Sequence, residues 1–154
     1  MRIPPDLKAW WRLTAGVSAE SGRYVSFMLG EWAPMRFDGI IEVYRMLLTQ
    51  QHETGSEELL LWRPAWIPIC TYGASDFTSG LLLDAETGKI RYWSGYGERS
   101  VRFESLSVYL EEMADLLETP AISDGAKPGL WNGALMWGPP VSADEAAQWV
   151  EFTG

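Results

Sequence analysis

Few residues in this chain are equipped for chemistry. It has one histidine, His52, and one cysteine, Cys70. A general base needs a nucleophile or water to act on, and no serine or cysteine sits in an evident catalytic motif beside His52. At the end of an apolar-periodic segment its cationic form suits a helix C-terminus instead. A reactive Cys70 needs a cationic or helix-terminal neighbour to lower its pKa. None is adjacent, so Cys70 reads as a small buried hydrophobe. One Cys and one His also exclude a disulfide framework and a Cys/His zinc site. Asp76, Asp84 and Glu86 come nearest to a carboxylate pattern. Their spacing fits no EF-hand, and an Asp after a short apolar run is foremost a turn former. A glycosidase-type pair requires Asp76 and Asp84 to converge in a cleft. No motif of the usual catalytic kinds is present, so the expectation is no catalytic residue, no cofactor, no metal and no enzyme.

The chemistry that remains is recognition. Lys+Arg is 12 and Asp+Glu is 21, a net charge of −9. Such a chain attracts neither nucleic acid nor anionic lipid, and does attract a basic protein. Its carboxylates cluster twice, as Glu53, Glu57 and Glu58 in a polar loop and as Glu111, Glu112, Asp115 and Glu118 along one periodic segment. A solvated face is one reading of such clusters, and electrostatic steering toward a basic partner is the other. Nine tryptophans are the strongest anomaly of composition. Trp10, Trp11, Trp62 and Trp66 fall on core-facing or motif positions. Trp32, Trp93, Trp131, Trp137 and Trp149 lie near turns or late in the chain, where an exposed indole is a hot-spot candidate. The residues expected at a partner surface are Glu57, Glu58, Trp93, Glu111, Glu112, Asp115, Trp131 and Trp137.

The elements that position these residues follow from periodicity and turn chemistry. A length of 154 residues with 47% apolar content suits one globular domain. Ile3–Gly16 reads as a short helix that opens at Pro4-Pro5, carries Leu7, Trp10, Trp11 and Leu13 on one stripe, and stops at Gly16. Arg23–Leu29 reads as a strand. Arg36–His52 reads as a helix capped by Asp38, with Ile40, Ile41, Tyr44, Leu47 and Leu48 inward. Ala65–Cys70 is β-like, and Pro64 and Pro68 confine it to an edge or a strand start. Gly80–Asp84, the turn Ala85–Gly88, Lys89–Ser94 with Ile90/Tyr92 alternating against Arg91/Trp93, the turn Tyr96–Glu98 and Arg99–Phe103 complete an antiparallel meander. Ser105–Glu118 reads as a helix capped by Ser105, with Leu106, Tyr109, Leu110, Met113, Leu116 and Leu117 on one side. Ile122–Gly154 reads as an extension: turns at Asp124-Gly125, Pro128-Gly129 and Pro139-Pro140, one strand within Leu130–Trp137, and a capping box at Ser142–Glu145 opening a last helix that carries Ala146, Trp149 and Val150. The fold class is α+β, a mainly antiparallel sheet of about four to six strands with helices around it. Met1–Trp11 lacks the apolar stretch of a signal peptide and no apolar run reaches the roughly 20 residues of a bilayer span, so a cytoplasmic setting is expected.

Trp62-Arg63-Pro64-Ala65-Trp66-Ile67-Pro68-Ile69 resembles the W-x-P-x-W-I-P-I motif of the SUKH superfamily, the Smi/Knr group named after a yeast cell-wall assembly regulator. Other pieces resemble the family in its order. They are Ile3–Leu7 with Gly16, Leu81–Asp84, Gly88-Lys89-Ile90, and Arg102–Leu106 with Tyr109-Leu110. The resemblance covers about residues 3–118. It implies structural roles for Trp62, Pro64, Trp66, Pro68, Asp84, Gly88 and Ser105, with Asp84 fixing its turn. It implies an α+β fold and a non-enzymatic protein-binding domain. Many bacterial members look like immunity proteins that sit on the toxic domain of a polymorphic toxin, often a nuclease or deaminase. The yeast member implies the alternative, a regulatory scaffold that binds several host proteins.

Overall fold

A computed structural model describes residues 2–14, 16, 26–54, 61–73, 76–123, 125–140 and 142–153. Its first helix, α1 (Pro5–Leu13), starts where two prolines lack N–H groups that would have no partner anyway. Leu7 and Trp10 are buried, but Leu13 is 87% exposed. It lies six residues after Leu7, about 120° off the buried stripe at 100° per residue, and so leaves the core. Gly16 stands beyond the helix end with φ +76°, and a Cβ there would run into the backbone of Met35. No strand forms over Ser26–Leu29, and residues 23–25 lie outside the described ones. Instead Met28 and Trp32 bridge each other around a turn through Gly30 and Glu31, both at positive φ. A two-residue strand, β1 (Ala33–Pro34), follows.

The long helix α2 spans Phe37–Thr54. The Arg36 carbonyl accepts its first helical bond, from Ile40 N–H, so Asp38 sits inside the first turn, not at the cap. Ile40, Val43 and Leu47 are its buried residues, whereas Ile41, expected inward, is 47% exposed. The far end of α2 grips the next segment: Gln51 Oε1 accepts from Trp62 N–H at 2.9 Å, and the Tyr44 hydroxyl donates to the Pro64 carbonyl at 2.8 Å.

The meander is present as β2 (Trp66–Gly73), β3 (Asp76–Asp84), β4 (Ile90–Ser94) and β5 (Val101–Phe103). With β1 they form an antiparallel sheet in the order β1-β2-β3-β4-β5. β2 is therefore one strand in from the edge, contrary to the reading from its prolines. β1 pairs only with Thr71 and Cys70, and a register shift separates Pro68 from Cys70, so Pro68 lies beyond the short β1 ladder and keeps the place a proline needs. The registers Ile67↔Leu83↔Ile90 and Leu82↔Arg91, Gly80↔Trp93 assign side chains to opposite faces. Ile67, Leu83 and Ile90 are buried on one face, and Trp66, Leu82 and Trp93 on the other. α3 (Leu106–Glu118) packs on the first face, where Phe103 and Tyr109 meet at 4.7 Å. Ser105 Oγ caps α3 by accepting from Val108 N–H at 3.1 Å, which satisfies one of the orphan donors of its first turn.

The C-terminal segment departs most from expectation. Pro128-Gly129 lies within a strand, not a turn. What reads as one strand is a hairpin, β6 (Lys127–Trp131) and β7 (Ala134–Gly138). Asn132 and Gly133, both at positive φ, form its two-residue connection, the geometry that matches the twist of the flanking strands. The capping box opens only a four-residue helix, α4 (Ala143–Ala146), with Ser142 Oγ accepting from Glu145 N–H. Trp149 and Val150 are not on it. They belong to β8 (Trp149–Glu151), which pairs with β6 to give a second sheet in the order β7-β6-β8.

Candidate functional site

Residues of the Trp/Pro segment converge on one cluster. Trp62 meets Trp66 and Trp93 edge-on, each at 5.7 Å between ring centroids. Edge-to-face contact places the positive rim of one ring on the negative face of the next. Three arginines frame these rings: Arg63 and Arg91 over Trp66 at 5.5 and 6.0 Å, and Arg99 over Trp62 at 5.9 Å. Arg99 spends its fork on carbonyls, donating to Leu61 through Nε (3.0 Å) and to Ser94 (2.7 Å), and so ties the segment before β2 to the β4–β5 turn. Burial lowers its pKa, because a buried guanidinium loses hydration. Reasoning from the sequence did not single out these arginines, and the only local signal was Arg91 alternating with apolar residues on β4.

Asp84 closes the β3–β4 turn. Its Oδ1 accepts from Glu86 and Thr87 N–H at 3.1 and 3.4 Å, and Oδ2 faces Arg91 Nε at 3.6 Å. Gly88, at φ +77°, donates its N–H to the Asp84 carbonyl at 2.7 Å. Asp76 and Asp84 mark opposite ends of β3, eight residues apart. That is about 26 Å at the rise of a strand, far beyond the separation of a glycosidase pair. The converging pair considered from sequence is thereby excluded. Cys70 is fully buried, and burial alone pushes its thiol pKa far up, away from thiolate chemistry. Tyr109 is raised as well, first by burial and then by Cys70. Its hydroxyl donates to the Leu29 carbonyl at 2.9 Å. His52 is exposed in the last turn of α2. Among the described residues no group of three or more His, Cys, Asp or Glu could hold a metal ion, and no helix is long and apolar enough to cross a membrane.

The residues expected at a partner surface divide. Glu57 and Glu58 lie outside the described residues. Glu111 and Asp115 are exposed on α3 together with Glu118, whereas Glu112 is half-buried and accepts from Ser123 Oγ at 3.2 Å. Trp131 is half-buried on β6. Trp93 and Trp137, expected at the surface, are instead buried, each 1% exposed. Trp93 packs on Trp62 at a point where its partner residue on β3 is Gly80, which leaves room for the indole. Trp137 turns inward, and its indole N–H donates to the Phe27 carbonyl at 2.9 Å, fastening the second sheet to the first part of the chain. Neither offers a partner an indole face.

The architecture built around the Trp/Pro segment can be set against known families. The model of the SMI1 / KNR4 family (SUKH-1) matches residues 1–112. The chain belongs to this family. The SUKH-1 match runs from α1 into the first half of α3, so the tryptophan cluster, the Asp84 turn and the Ser105 cap all fall inside it, and β6, β7, α4 and β8 fall outside. No curated protein and no solved structure matches the chain.

Proposed function

We propose that this SUKH-1 chain is a non-enzymatic protein-binding domain that acts as an immunity protein, neutralising a toxic domain of nuclease or deaminase type by direct binding. One observation carries the reading. The outer side of α3 presents Glu111, Asp115 and Glu118 to solvent, and among the described residues none of the three has a cationic partner within ion-pair distance. In a chain of net charge −9 these carboxylates add to a field that accelerates encounter with a basic protein. A nuclease is basic where it grips phosphate, and carboxylates can occupy that groove.

The test is calorimetric titration against the toxic domain encoded beside this gene, at low and high salt. Tight one-to-one binding that weakens with salt is the expected result. Reversing charge at Glu111, Glu112 and Asp115 together should lower affinity by about tenfold or more and flatten the salt dependence. Unchanged affinity and slope would remove α3 from the interface. Absence of binding would overturn the immunity reading in favour of a regulatory scaffold, for which a pull-down from the native host is the next measurement.

A further inference from the structure

One face of the second sheet is covered for only part of its length. Directly paired residues of antiparallel strands stand on the same side of a sheet, and so do residues two apart along a strand. The registers therefore sort this face into two rows. In the first, Pro128 is paired with Trp137 on β7, and Phe152 N–H donates to the Pro128 carbonyl at 3.0 Å. Trp137 and Pro128 are buried there. Two residues on, Leu130 is paired with Leu135 on β7 and with Val150 on β8. This second row of three aliphatic side chains crosses all three strands. Its exposure rises from half-buried Leu135 through Leu130 at 39% to Val150 at 65%. The cover stops between the two rows, and the row left open lies beyond residue 112, where the family match ends.

Charge is as unevenly distributed as burial. Residues 104–154 hold nine of the 21 acidic residues and one of the 12 basic ones, a net of −8, which leaves −1 for the first 103. The one cation, Lys127, is paired with Glu151 at 2.6 Å. α3 packs against β6, and Glu112 accepts from Ser123 Oγ at 3.2 Å, so the exposed carboxylates of α3 belong to the same body as the open row. An uncovered apolar strip in surroundings of one charge sign has the composition of an interface: a centre that loses water on contact and a charged rim that selects the partner. A second copy of this chain fits poorly, because it would bring two bodies of charge −8 together. A cation-rich protein is favoured by the same field. We infer that the Leu135–Leu130–Val150 row is the apolar centre of a contact with a protein that presents aliphatic side chains ringed by lysine and arginine. That this protein is a toxic domain rests on the function proposed above, and the chemistry of the surface does not.

A capped peptide of alternating lysine and leucine is the first probe, with the glutamate/leucine peptide of the same pattern as its control, read by methyl NMR at Leu130, Leu135 and Val150 of the full chain. The expected result is saturable shifts at all three with the lysine peptide, weakened by salt, and none with the glutamate peptide. Val150→Ser should weaken the titration severalfold, and Leu130→Ser with Val150→Ser by about tenfold or more. No shift at the row, or equal shifts with both peptides, would overturn the inference. So would shifts that grow with protein concentration alone, which would make a second copy the occupant. Val150→Ser, at the most exposed position, keeps the test open should the double variant fail to fold. The same variants are then titrated with the toxic domain. If it binds wild type and variants equally, the inference about the row falls and the immunity reading stands. If the lysine peptide binds and no toxic domain does, the immunity reading falls and the row stands.

Discussion

From β2 to β5 the chain buries both faces of a sheet; from β6 to β8 it buries little beyond Pro128, Gly129 and the Met136–Gly138 end of one strand. The first region is held by apolar packing around the Trp62 indole, which meets those of Trp66 and Trp93 edge-on. The second leaves Leu130 and Val150 39% and 65% exposed and carries an ion pair, Lys127 with Glu151, at its surface. Its order comes from a tight turn and from one indole bond to the Phe27 carbonyl. The contrast teaches that burial and docking are separate sources of stability. A sheet covered on both sides needs no exceptional hydrogen bond, whereas an open one depends on the few contacts that fix it to its neighbour.

The largest effect should come from Trp62→Ala, which removes the indole shared by Trp66 and Trp93. A loss of about 3–5 kcal/mol is expected in urea unfolding, spread over β2–β5, and a loss under 1 kcal/mol would mean that the cluster collapses around the gap. Next is alkaline pH. Burial raises the Cys70 pKa in the folded chain, so folded Cys70 keeps its proton where the unfolded thiol loses it. Stability from this group is complete below about pH 8.5 and falls by about 1.4 kcal/mol per unit above that. Cys70→Ala should remove that part of the slope and leave that of Tyr109, whose pKa burial also raises. Trp137→Phe keeps an aromatic ring but loses the pyrrole half of the buried indole and with it the bond to the Phe27 carbonyl, with an expected loss of about 1–3 kcal/mol. Hydrogen exchange should show β6–β8 opening sooner while β2–β5 stay protected. Equal loss in both sheets would erase the distinction. Gly133→Ala forces a Cβ into left-handed backbone at the β6–β7 turn and should cost about 1–2 kcal/mol, again read in β6–β8.

The first region was the legible one. Its strands are short apolar runs between turns such as Ala85–Gly88, α3 repeats at helical spacing behind Ser105, and the Trp/Pro motif is local in sequence. The second was misread for equally physical reasons. Asn132-Gly133 is a strong hairpin signal, but it interrupts an apolar stretch that looks continuous. A capping box marks where a helix starts and says nothing of where it stops, and β8 exists only through pairing with β6, some twenty residues earlier. The exposure of Trp93 and Trp137 depends on contacts with Trp62 and Phe27, distant in sequence. Glu111 and Asp115 were readable because the far side of an amphipathic helix follows from its period alone.

The two-residue strand β1 has a consequence for behaviour at high concentration. An open strand edge is a template on which other chains can add, the first step toward fibrous aggregates. On the outer side of β2, Thr71 and Cys70 are already paired by β1, and the Ile69 carbonyl is taken by Met35 N–H at 3.0 Å. The next residue, Pro68, has no N–H to offer. What remains is too short to seed a ladder, and a stretch as apolar as Trp66–Cys70 can pass through the life of the protein without recruiting copies of itself.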